Sequence, residues 1–522
     1  MIGSYSLPLS VLILGSSYLF WRYVKLKGNA VQKLPMVSSQ QTSWIWGHEL
    51  EIFQHEASEM YVKWAESFGL VYRVKAALFQ SDIVIVGDNS AVQHILQNSD
   101  SYGKAPAFLR IIARLVGKGL VWAEGEVHRY QRRQLAPAFT SSSVEAMADD
   151  IFFCVDNMTQ SLRSTLRGPN TVVDLVPVMS ACTLDIIGRV GFGHDFEGGK
   201  SKEAKAISAA WHQDVIMLRT FAGFLAPILT TVFPWITRLP IPAFRDGVTR
   251  QIVHKLAGKL LIDDSKNMGG NDILSILLNV NQTSEEESQL TTTELLDNIT
   301  TFFVAGHETT AVTTDFILLH LARNPSIQDK LRHEVRTVGS LDYNSIVELE
   351  YLNAVVKEGL RLHPVGPPTD RIAVHDDVIP LSQPIHTGNG EIISSLTIKA
   401  GQVFRIPWTL LNVNKQVWGN NGDEFVPERW TKPTKPGGIP SPDKVPHGPW
   451  AGVSSFSDGP RSCIGFRLGV LELKIIVAAL VRSFEFKCTE AKITQHVSPT
   501  LQPFADGKAA SMPLKVSLAP EM

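Results

Sequence analysis

A cysteine near the C-terminal end stands in a setting that suits a metal ligand. The run FSDGPRSCIG covers Phe456 to Gly465 and contains Cys463. Gly459 and Pro460 predict a tight turn, and an apolar helix is predicted to follow the cysteine. Backbone N–H groups and the dipole at a helix N-terminus favour the thiolate form, and Gly465 leaves room for a flat ligand. A lone cysteine at a helix start is usually only a small buried residue, so its neighbours decide the interpretation.

A second set of polar residues lies in the middle of the longest predicted helix. The sequence AGHETT, residues 305–310, interrupts an otherwise apolar segment. Polar residues inside a buried helix are costly unless they are hydrogen-bonded or used chemically. The structural alternative is a Ser/Thr-rich stretch whose hydroxyls bond back to the carbonyls of the same helix. Both interpretations stay open on these residues alone.

Charged residues form a third set. Glu358 and Arg361 are three residues apart, so their side chains share one helix face and can form a charge pair. An exposed pair of this kind contributes little, and the spacing is common by chance. His128 and Arg132 are one helical turn apart, and Arg371 follows a proline-rich bend. The alternative for each single arginine is a solvated surface charge.

The elements that must position these residues are mostly helical. Residues 89–322 have largely helical spacing, whereas residues 71–88 alternate as strands do and end at Gly87. Residues 363–449 contain many prolines and glycines and short β-like runs, and an apolar helix is predicted from about Cys463 to Phe484. The prediction is a mostly α protein with small β-sheets and one catalytic body.

The helix that carries residues 305–310 has clear predicted ends. Thr291 and Glu294 have the spacing of a capping box. Asn324 precedes Pro325, and a residue before proline resists the helical conformation. The helix should therefore run for about 33 residues, or roughly 50 Å.

Composition excludes several classes of function. The chain has 522 residues, 44% of them apolar and 19% charged, with a formal net charge of -2. No basic stripe suggests a nucleic-acid partner. The four cysteines are too few and too scattered for a disulfide framework or a zinc site, so a reducing compartment is expected.

The N-terminus predicts a membrane anchor. Residues 5–24 are largely apolar and carry only one charge, Arg22, and about 20 such residues span a bilayer as a helix. The following lysines, Lys25 and Lys27, place that end in the cytosol. The alternative is a cleaved signal peptide, but a basic start and a small-residue cleavage site are missing. The expected organisation is an anchor over 1–27, a tether over 28–50 and a catalytic domain over 51–522.

The cysteine run resembles the haem-binding signature of the cytochrome P-450 family. The matching positions are Phe456, Gly459, Arg461, Cys463 and Gly465. The resemblance implies that Cys463 binds the iron of haem b as a thiolate, which favours O–O cleavage. It implies further that Phe456 packs near the proximal face of the haem and that Arg461 pairs with a propionate.

Further motifs extend the resemblance over most of the chain. Glu358 and Arg361 are similar to the family's E-x-x-R, and Arg429 would complete a buried Glu–Arg–Arg cluster. Residues 305–310 resemble the oxygen-activation motif, in which Gly306 would let the helix approach the haem. The resemblance gives Glu308 and Thr309 the transfer of protons to dioxygen.

Three more residues resemble haem-propionate ligands of the family. The segment from Gly125 to Arg133 is similar to the family's W-x-x-x-R segment, with His128 in place of tryptophan and Arg132 at the arginine. Arg371 stands where the family often has another propionate arginine. His128, Arg132 and Arg371 are therefore expected to contact the haem.

The resemblance implies a monooxygenase on the cytosolic face of the endoplasmic reticulum, with a single membrane pass. It would take electrons from NADPH through a separate cytochrome P-450 reductase, with cytochrome b5 as a further candidate donor. The motifs resemble those of fungal enzymes of secondary metabolism, and we expect a hydrophobic substrate such as a terpenoid. Residues 102–120 and 211–224 are expected to line its pocket.

Two other functions are compatible with a haem-thiolate protein. The first is an isomerase or dehydratase that rearranges a peroxide without O₂ or reductase. The second is a membrane-tethered haem sensor without enzymatic activity. Neither needs a proton-delivery motif, so the Glu308–Thr309 pair favours the monooxygenase.

Overall fold

One long helix forms the centre of the molecule. In the computed structural model, which describes residues 30–38, 42–238, 247–264, 270–283, 289–431, 445, 447–450 and 452–521, it spans Thr292–Arg323. Thr291 caps its first turn, and its side chain and that of Glu294 form the predicted capping box. The helix ends before Asn324, as the following proline predicts. Both predicted ends are confirmed.

The other helices surround this central helix. In chain order the α-helices are α1 (Glu49–Gln54), α2 (Glu59–Phe68), α3 (Asn89–Gln97), α4 (Pro106–Leu115), α5 (Gly125–Leu135), α6 (Ser141–Ala146), α7 (Ala148–Thr165), α8 (Leu175–Phe192), α9 (Lys202–Leu218), α10 (Phe221–Val232), α11 (Val248–Asp264), α12 (Ile273–Thr283), α13 (Thr292–Arg323), α14 (Pro325–Thr337), α15 (Tyr343–Glu348), α16 (Glu350–Leu362), α17 (Trp408–Val413), α18 (Lys415–Trp418), α19 (Glu428–Thr431) and α20 (Phe466–Ser483). The central helix is α13.

The strands are short and lie towards the two ends of the chain. They are β1 (Val71–Val74), β2 (Ile83–Val86), β3 (Tyr102–Lys104), β4 (Thr171–Asp174), β5 (Thr369–Ala373), β6 (Asp377–His386), β7 (Ile392–Ile398), β8 (Val403–Ile406), β9 (Phe484–Cys488), β10 (Ile493–Val497), β11 (Leu501–Ala505), β12 (Lys508–Ala509) and β13 (Pro513–Leu518). The mostly helical class with small sheets is therefore confirmed.

The strands form four small sheets. The largest has the order β1-β2-β8-β5-β3, with β2 and β8 parallel and the other pairs antiparallel. The remaining sheets are β10-β11-β12, β4-β13-β9 and β6-β7. Strands from both halves of the chain share these sheets, because β3 pairs with β5 and β4 with β13. The sheets thus tie the two ends of the chain to the same body.

The main hydrophobic core lies where α13 packs against α8 and α20. Ile187 of α8, Phe316 of α13 and Ile476 of α20 are among its fully or almost fully buried side chains. Among the described residues, α8 is the one straight helix that is long and apolar enough to cross a membrane, and 67% of it is buried in the body. Burial of this kind is typical of a core helix.

The segment before the first α-helix packs on the body rather than standing apart. Val31 and Leu34 are buried against the largest sheet, and Val37 is buried beside Tyr72. Arg73 donates its backbone N–H to the carbonyl of Pro35. The tether expected over 28–50 is thus held along much of its length. The anchor expected over 1–27 lies outside the described residues.

Candidate functional site

The cysteine loop is held by a turn that requires glycine. Gly459 has a φ of +70°, and a Cβ there would lie 2.4 Å from the carbonyl oxygen of Leu96. The turn is closed by Cys463, which donates its backbone N–H to the carbonyl of Phe456 at 2.8 Å. Gly465 then caps α20. The loop therefore presents Cys463 just before a helix, as predicted.

The sulfur of Cys463 faces open space within a crowded setting. The residue is exposed, although it belongs to a loop that packs on the main core. Burial by the surrounding protein raises the pKa of the thiol, while the N–H of Gly465 and the charge of Arg132 lower it. The N–H of Gly465 at the helix start thus favours the thiolate, as expected, and desolvation by the surrounding protein opposes it. A coordinated metal would remove the proton outright.

The central helix has an opening at the predicted oxygen-activation segment. Ala305 is exposed and Thr309 is half-buried, whereas His307, Glu308 and Thr310 are buried. The hydroxyl of Thr309 donates to the carbonyl of Ala305 at 2.7 Å. Other threonines of α13 bond back to the helix in the same way. The structural alternative from the sequence thus holds for these hydroxyls, without removing Thr309 from the open face.

Glu308 is a buried acid with an amide partner. The side-chain amide of Gln502 donates to its carboxyl at 2.6 Å. Burial raises the pKa of Glu308, and the contacts with Gln502 and the indole of Trp211 lower it only in part. Glu308 is therefore held in the protonated form over a wider pH range than a solvated glutamate, which suits a proton donor.

Two neighbours of Glu308 have roles that the sequence did not reveal. His307 contacts Ser180 at 2.7 Å through Nε2, and burial lowers its pKa to about 4, so it is neutral. Gly306 faces α8, where a Cβ would lie 2.8 Å from Ile187. The expectation that this glycine lets the helix approach the haem is wrong. It lets α13 and α8 pack closely instead.

A cluster of basic side chains lies beside the cysteine loop. We call it the cationic cluster, and it consists of Lys104, His128, Arg132, Arg371 and Arg461. Burial, with the charges of Lys104, Arg461 and Arg132, lowers the pKa of His128 to about 4. Burial and the charge of Arg461 lower the pKa of Arg371 to about 10. These mutual effects show that the structure brings the four predicted propionate residues together.

The cationic cluster carries more positive charge than its protein partners neutralise. Arg461 and Lys104 share Glu124, at 2.8 Å and 3.3 Å. Arg132 donates to the carbonyl of Ser462 at 2.7 Å. The Nε of Arg461 is buried without a hydrogen-bond partner in the described part of the chain. Buried positive charge needs an anion, so the cluster fits a negatively charged ligand.

Lys104 and Glu124 are functional residues that the sequence analysis missed. Burial lowers the pKa of Lys104 to about 7, with Glu124 opposing this and the cluster arginines adding to it. Glu124 stands one residue before the segment that contains His128, and Lys104 lies in the predicted pocket segment. No spacing pattern links them, because β3 and the cysteine loop are about 360 positions apart.

A second buried charge cluster is centred on Glu358 of α16. Arg361 contacts both carboxyl oxygens of Glu358 at 2.8 Å, and Arg429 contacts one at 3.1 Å. Trp430 and the backbone N–H of Val426 donate to the same carboxylate. The three charged side chains are 0–2% exposed. We call these three residues the Glu–Arg–Arg cluster, and the structure brings all its predicted members together.

The exposed cysteine and the cationic cluster restrict the ligand that could bind there. It would carry negative groups for the cluster and a metal that binds thiolate. Haem, with its iron and its propionates, meets both conditions. The fold and the site therefore define a haem-thiolate protein.

Comparisons with known proteins agree with this class. The family model of cytochrome P450 matches residues 37–502. Similar curated proteins include cytochrome P450 monooxygenase 205 of Postia placenta, 32% identical over 85% of this chain and 84% of that protein. Others are cytochrome P450 monooxygenase claP of Ampulloclitocybe clavipes, 30% identical over 95% and 96%, and the ganoderic acid synthetase of Ganoderma lucidum, 29% identical over 98% and 97%.

The chain belongs to the cytochrome P450 family. It is a haem-dependent monooxygenase whose electrons come from NADPH through a reductase. The family resemblance of its cysteine run is thereby confirmed.

Proposed function

We propose that the protein oxygenates a terpenoid or a similar apolar small molecule in a fungal secondary pathway, at the cytosolic face of the endoplasmic reticulum. The reaction consumes substrate, O₂, two electrons and two protons, and yields oxygenated product and water. The similarity to a ganoderic acid synthetase supports the terpenoid class. The observation that carries the proposal is the buried acid Glu308, whose pKa is raised by burial, next to Thr309 at the exposed face of α13.

Glu308 and Thr309 are assigned the delivery of protons. The Thr309 hydroxyl donates a hydrogen bond to the Ala305 carbonyl. Its oxygen can therefore accept a hydrogen bond from a donor at the exposed face of the helix. Glu308 is held by Gln502 at 2.6 Å and must turn from that amide to pass its proton on. An isomerase has no use for this pair, since its reaction consumes no protons.

The remaining residues are assigned the binding of the haem. Cys463 would bind the iron as a thiolate, Phe456 and Gly465 would flank it, and His128, Arg132, Arg371 and Arg461 would hold the propionates. The Glu–Arg–Arg cluster, Glu358, Arg361 and Arg429, braces the loop from the proximal side. Haem bound there supplies the activation of O₂, which no protein side chain can perform.

The ligand assignment is tested by Cys463→Ser. This variant should lose the carbon monoxide difference band that marks thiolate-bound haem, because serine does not supply the sulfur ligand. A matched control replaces Cys154, Cys182 and Cys488 together by alanine and should keep the band. A wild-type band in Cys463→Ser would identify another residue as the ligand.

The reaction class is tested by product analysis with a reductase and a panel of terpenoids. We expect an oxygenated product that contains one atom of ¹⁸O₂ and requires NADPH. Turnover without NADPH and O₂ would favour the isomerase. Spectral binding of gases without turnover of any panel compound would favour the sensor. Addition of cytochrome b5 should raise product per NADPH if it is a second electron donor.

Membrane attachment is proposed at two places, the anchor over 1–27 and an aromatic patch on the body. The patch consists of Trp44, Phe79, Phe221, Phe233 and Trp235, all at least 43% exposed. Trp44 packs on Phe79 with ring centroids 5.0 Å apart, and the turn at Phe79 packs against α10. Clustered exposed aromatic residues are typical of membrane interfaces.

Removal of residues 1–27 should release much of the protein from membranes while the haem spectrum remains. In that truncated protein, Phe221→Ser with Trp235→Ser should reduce the remaining binding to vesicles. Val172→Ser with Val378→Ser, at exposed positions outside the patch, serves as the matched control. Equal binding of patch and control variants would remove the patch from the proposal.

A further inference from the structure

A buried carboxyl group on the central helix has no partner that explains it. Asp315 is 0% exposed, and neither carboxyl oxygen has a hydrogen-bond partner within the described residues. Buried polar atoms in proteins are almost always satisfied by protein or by ordered water. An unpaired acid at the centre of a packed helix therefore calls for a reason other than stability.

A strip of hydrogen-bonded residues leads from Glu308 to Asp174. At one end, Gln502 of β11 donates to Glu308 at 2.6 Å. The carbonyl of the next residue, Pro503, accepts the backbone N–H of Ser511 at 3.2 Å. The hydroxyl of Ser511 donates to Asp174 at 2.7 Å. The strip thus connects the acid at the open face of α13 to the end of β4.

Both ends of this strip act on the charge of Asp315. Burial, together with repulsion from Asp174 and Glu308, raises the pKa of Asp315 well above its ordinary value, which favours the protonated carboxyl. Glu308 and Asp315 are seven positions apart on one face of the helix, roughly 10 Å along its axis. Oε1 of Gln502 is a further buried atom without a partner in the described chain. Ordered water bonded to these atoms would bridge the two acids.

The far end of the strip reaches solvent. Asp174 lines an open surface cleft of about 490 Å³ together with Ser161, Arg167 and Thr171. Its side chain is 28% exposed and lies 3.6 Å from Lys508. Protons can therefore enter at Asp174, and Asp315 is the acid next inside.

We propose that Asp174, Asp315 and Glu308 form a proton path from this cleft to the open face of α13, with Asp315 as the internal relay. The inference rests on the proposed oxygenation, which consumes two protons and two electrons per O₂. Each transfer moves one proton inward: Asp315 gives its carboxyl proton towards Glu308 and regains one from the side of Asp174. Asp315 itself does not touch the substrate or the haem, because it acts only through Glu308.

The first test replaces Asp315 by asparagine, which keeps the shape and removes the acid. Asp315→Asn should retain the carbon monoxide difference band and the rate of haem reduction. Product per NADPH should fall about three- to tenfold and hydrogen peroxide should rise, with a larger loss in D₂O than in water. The matched control is Thr314→Val, a buried neighbour that does not titrate. Wild-type coupling and an unchanged isotope effect in Asp315→Asn would overturn the proposal.

A second readout does not depend on turnover. Infrared spectra of the holoenzyme at neutral pH, recorded in water and in D₂O and subtracted, should show the C=O band of a protonated carboxylic acid at two positions, one for each solvent. The band should be missing in Asp315→Asn and present in Thr314→Val. If Asp315→Asn leaves every such band in place, Asp315 is ionised and cannot relay a proton. This outcome would exclude the proton path and leave the monooxygenase assignment unchanged.

The entrance supplies a test that survives poor folding of the Asp315 variant. Asp174→Asn should reduce coupling by a smaller factor, since water can bypass the outermost acid. Formate, which can enter the open cleft, should restore part of this loss in Asp174→Asn and have no effect on wild type. Wild-type product per NADPH in Asp174→Asn would overturn the proposed proton path. Lack of any NADPH-dependent product in wild type would instead overturn the proposed function.

Discussion

The two buried charge clusters beside the cysteine loop are built on opposite plans. In the Glu–Arg–Arg cluster, Glu358 receives hydrogen bonds from Arg361, Arg429, Trp430 and a backbone N–H, and both arginines also donate to backbone carbonyls. In the cationic cluster, Arg461 and Lys104 share Glu124, and the Nε of Arg461 is without a hydrogen-bond partner among the described residues. A closed cluster serves the fold, whereas a cluster with excess charge is completed by a ligand.

The largest loss of stability is expected in the Glu–Arg–Arg cluster. Glu358→Gln leaves Arg361 and Arg429 buried without their carboxylate, so the free energy of unfolding should fall by about 3–5 kcal/mol. Urea denaturation, with the haem band as a second probe, measures this loss. The control is Glu391→Gln, whose carboxylate pairs with Lys33 at the surface and should contribute about 0–1 kcal/mol. Equal losses in both variants would break the comparison.

Substitutions in the cationic cluster should mainly weaken haem binding. Arg461→Gln removes the charged hydrogen-bond donor that we assign to a propionate. Such a bond contributes about 1.5–3 kcal/mol, so haem should be released roughly 10- to 100-fold faster. The stability of the haem-free protein should change far less than in Glu358→Gln. Transfer of haem to an acceptor protein measures the rate. Arg467→Gln, at an exposed neighbouring arginine, should release haem as wild type does. A large loss of haem-free stability in Arg461→Gln would place this cluster with the closed one.

The smallest effect concerns Lys104 and pH. Its folded pKa of about 7 lies below the unfolded value of about 10.4, so between these values the unfolded chain binds more protons. The stability of the haem-free protein should therefore rise with pH above 7, by at most about 1.4 kcal/mol per pH unit from this group. Lys104→Met should flatten the rise, as measured by urea denaturation at pH 7 to 9. Haem should flatten it too, because a propionate holds the proton on Lys104. The same slope in variant and wild type would exclude Lys104 as the cause.

What could be predicted from the sequence was local. The capping box of Thr291, the glycine turn before Cys463 and the pair Glu358–Arg361 depend on residues within a few positions of one another, where spacing determines geometry. Gly306 was misread because a helical glycine can serve either neighbour, and only packing decides which. Glu124 with Arg461 and Gln502 with Glu308 are far apart in the chain, and no periodicity encodes such contacts. Arg429 lies about 70 positions from Glu358, and its place in the cluster was predicted from the family resemblance rather than from spacing.

The early burial of Val31 limits how far the body can stand from a membrane. If the anchor ends at residue 27, residues 28–30 connect it to Val31, which is buried in the body. The four residue-to-residue steps from 27 to 31 span at most about 14 Å, less than half the thickness of a bilayer core. A connection of that length would restrict tumbling and keep one side of the body turned to the lipid. An apolar compound dissolved in the bilayer would meet this same side, at a local concentration that diffusion through water could not provide.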